Sequence, residues 1–239
     1  MDCNIKQIMT MKKNIFFAAL LALASFGLSS CGDDETEGLS RITYYAILEL
    51  NDAQYMSVQK GSTFTDPGCK ATMAGQDVSD QVVATGTVDT NKLGFYSLNY
   101  KVVNSDGFAA SASRMVAVVD KTNFASTYYG ESQYGSRHYY NAPLNVTDNG
   151  DGTFAIDDIA GGFYCYGRYP GYEPTYDFHL EAVIKLNADN TVDLVSCDGN
   201  DWFWGDPITI TSGSYDPATG TITLVLDFGG DPMTVTLTK

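Results

Sequence analysis

Period-two alternation, repeated between turn signals, is the feature that most narrows what this chain can fold into. Phe178, Leu180, Ala182, Ile184 and Leu186 fall on alternate positions, with Asp177, His179, Glu181 and Lys185 between them. Ile222, Leu224, Leu226 and Phe228 repeat the pattern, as do Met233, Val235 and Leu237. A strand sends successive side chains to opposite faces, so this spacing gives one apolar and one wet face: antiparallel sheet closed over a dry interior. Turn clusters divide the runs at hairpin spacing: Asn149-Gly150-Asp151-Gly152, Asn187-Ala188-Asp189-Asn190, Asp216-Pro217-Ala218-Thr219-Gly220 and Gly229-Gly230-Asp231-Pro232. About eight such strands over residues 121–239 predict a C-terminal all-β domain, an antiparallel meander β-barrel or sandwich.

Residues 41–120 are also β throughout and read as an Ig-like β-sandwich. Ile42 to Leu50 and Tyr55 to Val58 form opening strands, Cys69 to Met73 a third, and Phe108 to Val119 the last. Asn104-Ser105-Asp106-Gly107 is the hairpin before that last strand. Tyr96, Leu98, Tyr100 and Val102 alternate onto one face. Tyr96 stands two residues before Leu98, where antibody domains carry their second disulfide Cys, and so resembles a tyrosine corner. Cys69 has no Cys partner within 41–120, so this core is expected to rest on apolar burial alone.

Gly61-Ser62-Thr63-Phe64-Thr65-Asp66-Pro67-Gly68, Val88-Asp89-Thr90 and Gly94-Phe95-Tyr96 together resemble a bacterial Ig-like family of surface lipoproteins and adhesins. The resemblance covers about a third of the chain and implies a spacer and presentation module with no catalytic residues. Asn145 through Lys239, with its hairpin pattern and Trp204-Gly205-Asp206 turn, resembles the functionally uncharacterised companion domain of such lipoproteins.

The N-terminus reads as an address. Lys12 and Lys13 precede the apolar run Ile15 to Ala24, too short for a spanning helix, so residues 1–30 are expected to be a lipoprotein signal peptide. Leu28-Ser29-Ser30-Cys31 resembles a bacterial lipobox. That implies lipidation of Cys31 and a three-chain anchor, more than the two signals that stable attachment needs. Residues 31–40 form an acidic tether, and Asp33, Asp34, Glu35 and Glu37 resemble the export signal of Bacteroidota surface lipoproteins. The implied location is the outer membrane, lipid-anchored and exposed at the cell surface.

Charge excludes one class of partner. The chain carries −15 overall, and −17 once residues 1–30 are removed, whereas nucleic-acid binding needs a basic face. Beyond Cys31 the mature chain holds Cys69, Cys165 and Cys197, an odd count that leaves a Cys165–Cys197 bridge open.

Candidate chemistry is sparse. Asp148-Asn149-Gly150-Asp151-Gly152-Thr153 spaces oxygens as a calcium loop would but lacks the distal Glu, and Asp-Gly between alternating strands signals a hairpin. His138 and His179 have no metal-ligand spacing around them, and His179 falls on the wet face, so neither a metal site nor a cofactor is expected. Asp157 with Asp158, or Asp177 with Glu181, are the carboxylate pairs a small glycan hydrolase would need, in a half of the chain where acidic neighbours arise by chance.

The aromatics stand out. Ten of the 16 Tyr lie between Phe124 and His179, and Tyr164, Tyr166, Tyr169, Tyr172 and Tyr176 run through and just past the Gly/Pro-rich stretch Gly161 to Pro174. Asp201-Trp202-Phe203-Trp204 follows two strands later. Rings on loops beside polar groups suit sugars, whose C–H faces stack while hydroxyls find partners; the same rings also suit a domain core. The expected ligand set is Trp202, Trp204, Tyr169 and Tyr172, with Arg168 and Asp201 as hydrogen-bonding neighbours. By analogy with glycan-binding surface lipoproteins, a non-catalytic module for polysaccharide or oligosaccharide is expected. The alternative is an adhesin or assembly component with a surface protein partner, and after it the hydrolase.

Overall fold

A computed structural model describes residues 42–197 and 208–239. The signal segment, Cys31 and the acidic tether lie outside the described residues, as do Asp201, Trp202 and Trp204.

Two sheets make the Ig-like sandwich. One orders β1 (Ala46–Leu50), β3 (Cys69–Met73) and β4 (Gln76–Asp77); the other orders β2 (Tyr55–Gln59), β7 (Ala109–Val119), β6 (Gly94–Val103) and β5 (Val83–Thr85). Pairing is antiparallel except for β2 on β7. The alternation of β6 is realised: Leu98, Tyr100 and Val102 are buried, packing with Val116, Ala71 and Val78. Tyr96 donates its hydroxyl to the Lys92 carbonyl at 3.0 Å, four residues upstream, which is the tyrosine-corner bond. Cys69, Cys165 and Cys197 are not bridged to one another. The first strand starts at Ala46, not Ile42, because its pairing with β3 runs only from Ala46↔Met73 to Leu50↔Cys69.

One buried group went unread in the sequence. Arg114 takes an inward position of β7 and is fully buried. Its guanidinium donates to the Asp66 carboxylate at 2.6 Å, the Tyr100 hydroxyl at 2.8 Å, and the carbonyls of Ala53, Asn51 and Gly68. Tyr100 in turn donates to Asp66 at 2.6 Å. The Thr65-Asp66-Pro67-Gly68 turn is therefore clamped from within the sandwich, with donors on its Pro67 and Gly68 carbonyls.

The second unit is an eight-stranded antiparallel sheet: β8 (Ser126–Tyr134), β9 (Arg137–Asp148), β10 (Phe154–Ile156), β11 (Ala182–Leu186), β12 (Val192–Cys197), β13 (Ile208–Asp216), β14 (Thr221–Phe228) and β15 (Asp231–Thr238). The order β12-β11-β10-β9-β8-β15-β14-β13 curls round until its two ends approach. Thr191 bridges Ser214, and the Tyr215 amide donates to the Asn190 carbonyl at 2.9 Å. At this seam a Cβ on Gly213 would lie 2.1 Å from the Val192 carbonyl oxygen, so only glycine permits the approach. The result is a nearly closed barrel, which settles the choice between barrel and sandwich. Ile184, Ile222, Leu224, Leu226, Met233, Val235 and Leu237 fill its interior, as the alternation predicts, and Leu144 of β9 joins them.

The β9–β10 connection is a hairpin turn in which Asp148 and Asp151 accept from the Gly150 and Thr153 amides, so these carboxylates hold the turn itself. Six residues separate β7 from β8, and Tyr129 of β8 inserts beside the sandwich. Its hydroxyl donates towards the Met56 and Met115 carbonyls, at 3.1 and 3.0 Å, and its ring meets Tyr55 and Phe95 edge-on.

Candidate functional site

The long β10–β11 connection, residues 157–181, folds across one end of the barrel. Its first part goes inward: Ile159, Ala160 and Phe163 are buried with the barrel core. Gly161 and Gly162 make this passage. Gly162 has φ +79°, and a Cβ there would stand 2.1 Å from that of Ala142 on β9. A single π-helical turn, Phe163–Arg168, then carries the chain out, with Phe163 edge-on to Tyr134, Tyr139 and Tyr164. Wide π turns of this sort recur at functional sites.

Beyond it the rings gather. Tyr169 lies 5.9 Å from Tyr172 and 5.0 Å from Phe178, and Tyr172 lies 6.3 Å from Tyr176 with planes at 45°. Phe178 is buried beneath them, while Tyr166, Tyr172 and Tyr176 are 44, 52 and 47% exposed. The exposed Arg168 lays its guanidinium over the Tyr169 ring, 5.2 Å from the centroid. The structure thus brings together Arg168, Tyr169 and Tyr172 of the sequence-predicted set and adds Tyr176, while Tyr166 lies against His179. Tyr128 and Tyr129, from the same tyrosine-rich stretch, are interior.

Beside the rings lies a polar cluster that local spacing did not reveal. His179, expected on an open wet face away from any ligand, is only 22% exposed and turns its Nδ1 to Asp177 at 2.7 Å and Glu173 at 2.9 Å. The Cys165 thiol joins them: the four ligand-type atoms lie within 4.8 Å of one another. The tyrosine loop folds back over the π turn, and this return, not any short-range spacing, makes the juxtaposition. Burial alone lowers the His179 pKa, but the hydrogen bond to Asp177 and the charges of Asp158, Asp177 and Glu173 raise it overall. Burial and the charges of Asp158, Glu173 and Asp177 push the Cys165 thiol up. Tyr166 is raised to about 12, by burial and then by neighbouring carboxylates. The other histidine, His138, sits on the barrel wall between Glu131 and Tyr140, each at 2.7 Å.

Both carboxylates of the Asp157–Asp158 pair are held by local hydrogen bonds. Asp158 is fully buried, and its two oxygens accept the Ala160 and Gly162 amides at 2.9 and 3.2 Å; burial still raises its pKa. Asp157 accepts from the amide and side chain of Asn145 at 2.8–3.0 Å. It shares a shallow depression of about 640 Å3 on the outer wall of β9–β12 with Glu181 and Cys197.

An Ig-like sandwich leading into a plugged, nearly closed β-barrel defines the chain as a two-part all-β protein. Residues 48–118 match the family described as bacterial surface protein, Ig-like domain, and residues 119–239 match the C-terminal domain of the BT2262-like family. The second match spans half the chain, and the protein belongs to that family of surface lipoproteins, which places it in the cell envelope. Lipoprotein BT2262 from Bacteroides thetaiotaomicron has a similar crystal structure: 28% identity, TM-score 0.52, covering 82% of this chain and all of the other. A structure of CBM51-2 in complex with GlcNAc and INT domains from Clostridium perfringens ZmpB pairs at 12% identity and TM-score 0.30, over 81% of this chain and 43% of the other. The M60 catalytic domain of ZmpB with its CBM51-1 and CBM51-2 domains pairs at 12% and 0.28, over 82% and 21%. Similarity at that level carries nothing about this chain's ligand. No curated protein matches the chain.

Proposed function

We propose that this protein is a non-catalytic binding lipoprotein, anchored through Cys31 in the outer membrane and exposed at the cell surface, whose tyrosine loop takes an extracellular glycan. In this reading the Ig-like unit is the spacer and the barrel end the presenting surface. One observation carries it: the half-exposed rings of Tyr172 and Tyr176, with Tyr169, pack against buried Phe178, beside the Arg168 fork. Such rings offer contact area at small entropic cost, and the charged groups supply hydroxyl partners. The 45° between Tyr172 and Tyr176 makes the surface cupped, which suits a bending polysaccharide or oligosaccharide over a flat crystalline one. Trp202, Trp204 and Asp201 complete the proposed set.

The test is a glycan array with the full chain in detergent, followed by affinity and melting measurements on Tyr172→Ala, Arg168→Ala, Trp202→Ala and Trp204→Ala. Tyr172→Ala is expected to lose about tenfold or more in affinity, a change of ~1.4 kcal/mol, with its melting midpoint unchanged. A tryptophan in the core would instead lose ~3–5 kcal/mol of stability. Binding to no glycan, or unaltered binding by Tyr172→Ala and Arg168→Ala, refutes the reading; capture of a protein partner through the same rings would install the adhesin reading in its place.

A further inference from the structure

We propose that Cys165, Glu173, Asp177 and His179 form a binding site for one zinc ion, which pins the tyrosine loop to the barrel end. The donor set is one thiol, one imidazole nitrogen and two carboxylates, and their ligand atoms lie within 4.8 Å of one another. Tetrahedral zinc with bonds of about 2.0–2.3 Å to such atoms holds its ligands roughly 3.3–3.8 Å apart, so the His179–carboxylate contacts must open by about half an ångström and the widest separations close by up to about 1 Å. The His179 Nδ1 is already central, 2.7 Å from Asp177 and 2.9 Å from Glu173. A metal would take the place of the proton that this nitrogen now shares with the two carboxylates.

The surroundings are those of a metal's outer shell. The other ring nitrogen of His179, Nε2, faces the Tyr166 hydroxyl at 3.4 Å, and such a partner fixes tautomer and ring orientation. Asp177 is oriented by accepting the His179 amide at 2.9 Å. Cys165 is buried at the base, held on the π turn, whereas Glu173 and Asp177 are exposed at the rim, which gives an ion a way in. Glu173 and Asp177 place two carboxylates against a single imidazole, a local excess of negative charge that a divalent cation offsets. Thiol with imidazole selects a borderline-soft ion, not calcium or magnesium, which take oxygen.

The consequence is mechanical. Cys165 is on the outgoing strand of the loop and the other three ligands on its return, so the ion closes a covalent-like ring around Arg168, Tyr169, Tyr172 and Tyr176. A loop held in this way loses little entropy when a ligand orders its rings. Zinc binding does not depend on the glycan reading, and either can fail without the other.

The experiment uses the full chain in detergent, stripped with EDTA and titrated with zinc chloride or cobalt chloride. One zinc per chain and a raised melting midpoint are expected, and cobalt should show a near-ultraviolet thiolate-to-metal charge-transfer band. Cys165→Ser should abolish the band, which assigns it to this thiol and not to Cys69 or Cys197. Because Cys165 is buried, the exposed-residue variants Glu173→Gln and Asp177→Asn provide the second arm. Each should weaken zinc about tenfold or more while the metal-free chain melts as wild type does. Substoichiometric zinc, a cobalt complex without the thiolate band, or wild-type affinity in both carboxylate variants would overturn the proposal.

Discussion

Arg114→Ala is the most discriminating perturbation of the sandwich. The side chain is fully buried and its removal takes away donors from the Asp66 carboxylate, the Tyr100 hydroxyl and three backbone carbonyls. Breaking a buried pair by deleting one partner costs ~3–5 kcal/mol. Asp66 retains 32% of its side-chain exposure, so water takes up part of the loss and the lower end, about 3 kcal/mol, applies. In a unit of this size ~1 kcal/mol moves the midpoint by about 4–8 °C, so the variant should melt roughly 12–24 °C below wild type by scanning calorimetry. Arg114→Lys keeps the charge but not the planar fork and should recover only a minor part. The carboxylate gives a second signature. Burial raises the Asp66 pKa, but the bonds from Tyr100 and Gly68 and the Arg114 charge lower it overall. Its contribution is then complete above the ordinary value of 3.8 and lost as pH falls through the folded value, and that acid limb should shrink in Arg114→Ala. A midpoint within about 4 °C of wild type would refute the clamp.

Acid should also weaken the chain at its turns. Asp77, Asp120, Asp151 and Asp189 each accept from the hydroxyl and amide two residues on, Asp216 accepts from the Ala218 amide and the Thr219 hydroxyl, and all five have lowered pKa values. Their stabilisation is present above pH 3.8 and lost below it, so the urea midpoint should fall progressively there; a flat midpoint would refute the assignment. Gly162→Ala should lose ~2–5 kcal/mol in urea unfolding, from the left-handed backbone and the contact with Ala142 together, and an unchanged midpoint would show that the loop does not pass where the structure puts it.

Much of the architecture was written locally. Two-residue periodicity is a property of a single strand, so the buried faces of β6, β11, β14 and β15 followed from Tyr96 to Val102, Ala182 to Leu186, Ile222 to Phe228 and Met233 to Leu237 alone. The tyrosine corner was equally legible, because its bond from Tyr96 to Lys92 spans four residues. Strand pairing order was not, since barrel and sandwich share one alternation and only the seam at Thr191, Ser214 and Gly213 separates them. Arg114 was hidden for a related reason: its partners Asn51, Ala53 and Asp66 come from 48 to 63 residues away, and a charge at an inward position looks like an error until they arrive. His179 was assigned to a wet face by a parity rule that holds for its backbone, yet the tyrosine loop folds back and covers that face with Cys165 and Glu173. Periodicity fixes which way a side chain points; what it meets there depends on how segments distant in sequence return, and that is decided only by the closed tertiary fold.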